Sequence, residues 1–263
     1  MKLMRRAERQ LMSRRQFFTR ALAGASALML AGCNKLSETE WFPKILGSAE
    51  GLSNSAQHLV TSRKSMAQEF TEADLSPSFR SNGTSKPDSE KYTALAEKDF
   101  VDWTLKIHGL VEKPMQFTLA QLRAMPSRTQ ITRHDCVEGW SAIGKWTGVP
   151  LHQILAQVKP QTNAKYAVFY CADPMEKDGT NPYYESIDME DAYHPQTLLA
   201  YELNDKNLPI ANGAPIRLRV ERQLGYKQAK YIMHIALVES FKDIAGGKGG
   251  YWEDEGYTWY AGI

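Results

Sequence analysis

The stretch Arg133-His134-Asp135-Cys136-Val137-Glu138-Gly139-Trp140 concentrates the groups of this chain best suited to chemistry. A thiol flanked by an imidazole and two carboxylates can act as a nucleophile, as a soft metal ligand, or as a plain structural thiol. In an oxidising compartment Cys136 could also pair with Cys171. No CxxC, HExxH, GxGxxG, Walker loop or CxxCH occurs, which disfavours zinc, nucleotide and covalent haem.

A second group of candidates lies downstream, in Asn212-Gly213-Ala214-Pro215-Ile216-Arg217 and Gly225-Tyr226-Lys227-Gln228-Ala229-Lys230. The elements that must position both groups can be read from periodicity. Val101, Trp103, Leu105 and Ile107 alternate with polar residues as a half-buried strand does. Thr118 caps a short helix ending before Pro126, and Ile131 sits in an extended piece. The Cys136 segment is expected between a strand and a helix. Pro150 to Val158 reads as a helix with Leu151, Ile154, Leu155 and Val158 on one face. Further strands are expected at Ala164–Cys171, Leu198–Leu203, Ile216–Val220 and Tyr231–Val238, with turns at Asn204-Asp205 and Asn212-Gly213. Short strands with few helices predict an α+β fold of mixed sheets.

With 263 residues, 43% hydrophobic and 24% charged, the chain can bury a sizeable core, and whole-chain disorder or coiled coil is excluded. The formal charge of +2 hides an asymmetry. Residues 1–32 carry seven basic side chains and one acid, which leaves 25 basic against 29 acidic residues in the rest. A remainder of net negative charge argues against nucleic acid as a partner.

Ser13-Arg14-Arg15-Gln16-Phe17-Phe18, the apolar run Ala21 to Gly32 and then Cys33 follow the order of an export signal. The run is well short of the roughly 20 residues that span a bilayer. The segment resembles a twin-arginine signal, and Leu30-Ala31-Gly32-Cys33 resembles a lipobox whose cysteine becomes lipidated. The expected organisation is a signal peptide over 1–32, a tether over 33–71 within a polar arm that reaches to about Tyr92, and one domain over 72–263. Location on the periplasmic side, with membrane attachment through Cys33, follows from that resemblance.

Cys136-Val137-Glu138-Gly139-Trp140, followed by Trp146-Thr147-Gly148-Val149-Pro150-Leu151, resembles the molybdenum-ligand loop of the sulfite oxidase superfamily. The block from Asn212 to Lys230 resembles the pterin-cradling region of the same family. The resemblance implies a molybdopterin-binding oxidoreductase fold, Mo-molybdopterin as cofactor, and Cys136 as the one protein thiolate on the metal. A soft thiolate suits a metal otherwise held by the dithiolene sulfurs of the pterin. It further implies cofactor contacts from Asn212, Arg217, Gln228, Ala229 and Lys230, with Gln228 and Ala229 acting through the backbone. Arg offers a bidentate fork to the terminal phosphate and Lys a point charge. Cys171 stands where relatives carry a threonine that touches the cofactor. In the arm, Phe79-Arg80-Ser81-Asn82-Gly83-Thr84 resembles a segment that wraps over the pterin, which makes Arg80, Ser81 and Asn82 candidates.

Oxygen-atom transfer on a small-molecule substrate is the implied reaction, with an external haem- or quinol-linked electron partner. Arg80 and Tyr226 are expected beside Cys136 in catalysis, and His134 is a further candidate near the metal oxygen. Animal and plant relatives carry arginines just after the ligand cysteine, whereas this chain reads Trp140, Ser141 and Ala142. Arg80, Arg133, Lys145 or Arg222 would have to supply the missing charge for sulfite. The aromatic closing segment 246–260 is read as a cover for the site, a docking face or a packed tail. No C-terminal dimerisation domain is expected, and hence a monomer. The alternative reading is a cofactor-free exported lipoprotein that keeps the fold as a binding module.

Overall fold

The computed structural model describes residues 62–176 and 181–263, so the signal, the lipobox and most of the tether lie outside the described residues. Two five-stranded sheets organise the domain. The first runs β2 (Met115–Thr118), β1 (Thr104–Gly109), β10 (Ile232–Val238), β5 (Tyr166–Pro174), β6 (Pro182–Asp188). Only β1 and β10 in this sheet pair in parallel. The second runs β3 (Arg128–Asp135), β4 (Ser141–Pro150), β7 (Leu198–Leu203), β8 (Lys206–Asn207), with β9 (Arg217–Arg219) also on β7. Among the described residues five short α-helices join them: α1 (Glu90–Ala96), α2 (Leu119–Ala124), α3 (Leu151–Val158), α4 (Met189–Tyr193) and α5 (Tyr251–Asp254). Among the described residues no helix is long and apolar enough to cross a membrane.

Sequence and structure agree where the periodicity was clean. Thr118 Oγ1 accepts from the Gln121 amide, Gln121 returns the bond in a capping box, and α2 stops before Pro126. On α3 the four predicted apolar residues are all buried, each contributing roughly 1.5–3 kcal/mol of burial energy. Asn204 and Asp205, both at positive φ, close the β7–β8 hairpin.

Two expectations need correction. β1 starts at Thr104 rather than Val101, because Asp99 and Phe100 have positive φ and turn the chain, leaving Val101 exposed. The Cys136 segment does not lead from a strand into a helix. It closes a β-hairpin, since residues 133–135 belong to β3 and pair with β4. The arm is ordered against the domain from Arg63 onward. The Phe70 amide donates to Ile131 O at 2.8 Å, Glu69 bridges to Thr132, and Arg63 pairs with Asp188. Later in the arm α1, capped by Ser89, buries Tyr92 in the core.

Candidate active site

Cys136 opens the turn that follows β3 in the β3–β4 hairpin. Its amide donates to Trp140 O at 2.9 Å, and Gly139, at φ 83°, donates to Cys136 O at 3.0 Å. A side chain at Gly139 would strain this turn. The thiol is 92% buried and faces a cleft of about 160 Å³. Burial pushes the thiol above its ordinary pKa, a push that Arg80 partly opposes. Without a cation on the sulfur, Cys136 is therefore a thiol at neutral pH.

The same cleft is lined by Asn82 and Thr84 of the arm, by Tyr226, Gln228 and Lys230, and by Asp173, Tyr183, Trp252 and Tyr257. The arm, the Cys136 turn and the downstream block thus converge on one space. Two buried cations serve this space, and among the described residues neither has a carboxylate within ion-pairing distance. Lys230 Nζ donates to the carbonyls of Asn82, Thr84 and Ala211. Arg217 donates to the carbonyls of Asn212 at 3.1 Å and Gln228 at 3.4 Å, with its guanidinium 5.1 Å from the Trp146 ring. Burial lowers both, Lys230 to about 7 with added repulsion from Arg217, and Arg217 to about 9 with added repulsion from Arg219. Gly213, at φ 113°, permits their approach, because a Cβ there would lie 2.9 Å from the Lys230 Cβ and 3.2 Å from that of Arg217.

Two neighbouring cations are neutralised instead. Arg219 forms a fully buried pair with Glu221, which also accepts from Gln130 at 2.7 Å. Lys227 is buried between Glu185 and Glu253.

Several buried polar atoms near the cleft have no partner: Asn82 Oδ1, Asp173 Oδ1, Asn212 Nδ2 and Arg217 Nε. Such atoms are costly unless something satisfies them. Two uncompensated cations with open donors and acceptors suit a polar heterocycle with a phosphate tail. The residues present therefore fit molybdopterin.

Asp173 was missed by sequence reasoning. It is 4% exposed, and burial raises its carboxyl to about 6. Nothing about an Asp-Pro pair at the end of an apolar strand marks it in advance. Its position opposite Lys230 and Thr84 depends on how β5 meets the arm.

Other candidates fall elsewhere. Cys171 is buried beside Asp173 but does not line the cleft, and both Cys136 and Cys171 are free thiols, which removes the disulfide reading. Ser81 Oγ donates to Ala211 O and fastens the arm. Ala229 contributes its carbonyl to Leu218 at 2.8 Å. Tyr226 lines the cleft, but its hydroxyl donates to Thr258 O at 2.7 Å. His134 is wholly buried between Phe79 and Trp140, and its Nδ1 lies 3.1 Å from Arg219 Nη1. Burial and the cations Arg219 and Arg217 hold it well below the usual imidazole pKa, so it is neutral, with Nδ1 accepting.

The replacement charges suggested for sulfite are also committed. Arg133 pairs with Asp135, Lys145 with Glu72 and Asp205, and Arg222 donates to Arg63 O. Arg80 alone stays near the thiol, exposed, 5.4 Å from the Trp140 ring.

Residues 92–243 match the model of the oxidoreductase molybdopterin binding domain family. The chain belongs to that family, within the sulfite oxidase superfamily, and is a molybdopterin-dependent oxidoreductase. It is 36% identical to YedZ1 of Azospira oryzae, provisionally named a protein-methionine-sulfoxide reductase subunit, over 96% of this chain and 89% of that one. It is 40% identical to the protein-methionine-sulfoxide reductase catalytic subunit MsrP of Xanthomonas axonopodis pv. citri, over 64% of this chain and 54% of the relative. The matched stretch thus spans about half the length of MsrP. The sulfane dehydrogenase SoxCD of Paracoccus pantotrophus superposes on 53% of this chain and 39% of its own at 25% identity and a TM-score of 0.48.

Proposed function

We propose that this chain is an exported oxidoreductase that transfers an oxygen atom at a mononuclear molybdenum held by Cys136. The observation that carries this reading is the convergence of the Cys136 thiol with Asn82, Gln228 and Lys230 on one cleft, backed by two unpaired buried cations. When bound, the cofactor would supply the two-electron redox chemistry and the oxygen acceptor.

The protein's own contributions follow from its geometry. Cys136 would give up its proton to serve as a soft ligand, and Arg80 would favour the thiolate from the cleft's edge. Arg217 and Lys230 would hold the phosphate, while Asn212 and Asp173 offer a donor and an acceptor to the pterin. Gln228 and Ala229 fix the backbone on which these groups stand. Tyr226, Tyr183, Trp252 and Tyr257 would exclude water and shape the substrate's side of the cleft.

The substrate proposed is an uncharged sulfoxide rather than sulfite. With Arg133, Lys145 and Arg222 engaged, the cleft offers little positive charge beyond its cofactor cradle, and Asp173 and Glu138 add negative charge. The names of the YedZ1 and MsrP relatives point the same way. Reduction of a sulfoxide consumes two electrons and two protons, so a haem- or quinol-linked donor is proposed to deliver the electrons. Export through the paired-arginine segment and anchoring through Cys33 complete the reading.

The test is metal and pterin analysis of protein purified from a molybdopterin-competent host, with Cys136→Ser beside wild type. One molybdenum per wild-type chain and a dead or metal-free variant are expected. Full activity in Cys136→Ser would remove the thiolate from the mechanism.

A further inference from the structure

We propose that the C-terminal segment 249–259 is the specificity wall of the cleft, and that Lys227, acting through Glu185 and Glu253, is the positioning residue that holds it. The inference rests on the cleft being the substrate site proposed above. Lys227 ends the 3-10 turn Gly225–Lys227, whose first two residues line the cleft. Its ammonium, wholly buried, donates to Glu185 on β6 and to Glu253 on α5. Trp252, one residue before Glu253, lines the cleft as well. Tyr183 of β6 lines it too, so one ammonium ties together three elements, each of which carries a residue on the substrate's side.

The surrounding contacts register the same segment. Glu185 bridges to Gly250, Ser186 Oγ donates to Gly249 O, and Trp259 Nε1 donates to Ser186 Oγ at 2.9 Å. Tyr226 meets the segment through its bond to Thr258 O and through Tyr257, 5.2 Å away edge-on. Tyr257 in turn packs on Trp252 at 5.3 Å. A Cβ on Gly250 would fall 2.1 Å from Glu253 Oε2 and 2.8 Å from Glu185 Oε1, so the backbone runs directly against the two carboxyls.

Stability alone does not account for this arrangement. Two carboxyl groups share one ammonium with no exposure, and an Oε2 on each glutamate lacks a partner. Well-packed apolar residues often do as well or better in such a place. What the ion cluster adds is direction. Apolar packing tolerates a slide of the segment, whereas an ammonium bonded to two carboxyl groups at fixed points does not. None of these contacts involves Arg217, Asn212 or Lys230, so the wall and the cofactor cradle can be perturbed separately.

The test uses loaded full-length enzyme, with methionine sulfoxide as substrate and a reduced viologen dye as electron donor. Glu253→Gln should keep molybdenum per chain at the wild-type level and raise KM about tenfold with kcat within about twofold. It should also speed amide hydrogen exchange across 249–259. Lys227→Arg should recover most of what Lys227→Met loses, and Trp252→Ala should raise KM without the faster exchange. If Lys227→Met does not fold, Glu253→Gln decides alone. Loss of molybdenum at unchanged KM would assign the cluster to the cofactor, and unchanged KM and exchange would end the proposal. A wild-type enzyme that holds molybdenum but does not turn over methionine sulfoxide would refute the substrate reading instead. The exchange measurement would still judge the clamp.

Discussion

Arg217 and Lys230 on one side, and Arg219 and Lys227 on the other, are all buried cations from one short stretch of chain, yet they are treated in opposite ways. The second pair is neutralised by Glu221, Glu185 and Glu253. Among the described residues the first pair hydrogen-bonds to backbone carbonyls and to no carboxylate, and burial lowers its affinity for protons. Burying a charge without a counter-charge is unfavourable, and a protein that does so twice in one place is arranged to receive an anion. The neutralised cations hold neighbouring elements together, and the others are the pair proposed to hold the cofactor's phosphate.

That contrast can be broken most severely at the metal. Cys136→Ser should lower kcat by three decades or more, on the order of 4 kcal/mol of lost transition-state stabilisation, measured per molybdenum bound. The next largest effect separates the two kinds of cation. Lys227→Met should cost about 3–5 kcal/mol, because two carboxyls lose their only cation. Arg217→Met should instead raise the stability of cofactor-free protein while weakening cofactor retention by about one to two decades. Chemical denaturation of both cofactor-free variants, with metal content of the loaded ones, checks the pair. If Arg217→Met destabilises as much as Lys227→Met, the distinction fails.

A pH series sharpens the same point with a smaller effect. In the fold Lys230 is lowered to about 7 from 10.5, so above pH 7 the folded protein binds fewer protons than the unfolded chain. The stability of cofactor-free protein should therefore rise between about pH 7 and 10, and fall as pH drops back through 7. Asp173, raised from 3.8 to about 6, acts in a separate window, where stability is lost as pH rises from about 4 to 6. Lys230→Met should flatten the upper window and leave the lower one. The smallest effect is expected at Arg133 and Lys145, whose acids lie off the cleft: Arg133→Ala and Lys145→Ala should leave KM for a sulfoxide within about twofold. A steep rise would return these residues to an anionic substrate site.

The legible parts of the molecule were those carried by local pattern or by residue chemistry. α2 and α3 could be read because Thr118 and Pro150 mark their starts and the apolar spacing marks their faces. Cys136, Arg217 and Lys230 were singled out by their resemblance to a family motif, and the fold brings the Cys136 turn and Lys230 to one cleft. What stayed hidden depends on pairs far apart in sequence. The Arg219–His134 contact joins residues 85 positions apart, and the Lys227–Glu185 contact joins residues 42 apart. Lys227 and Lys230 look alike in the sequence, and only the fold shows that one meets carboxylates and the other carbonyls. Val101 misled for the opposite reason: it alternated correctly, but the turn at Asp99 and Phe100 overrode the pattern.

The placement of β10 has a consequence for how the chain comes into being. Residues 232–238 form the middle strand of the first sheet, flanked by β1 and β5, which are made far earlier. Until the ribosome has released this strand, the sheet has a vacant centre, and β1 and β5 carry unpaired edges that invite aggregation. The long separation between partners makes the final pairing slow. Folding, and any loading of a ligand that needs the folded cradle, must wait until residues 232–238 have been made, which leaves the nascent chain in need of shelter until then.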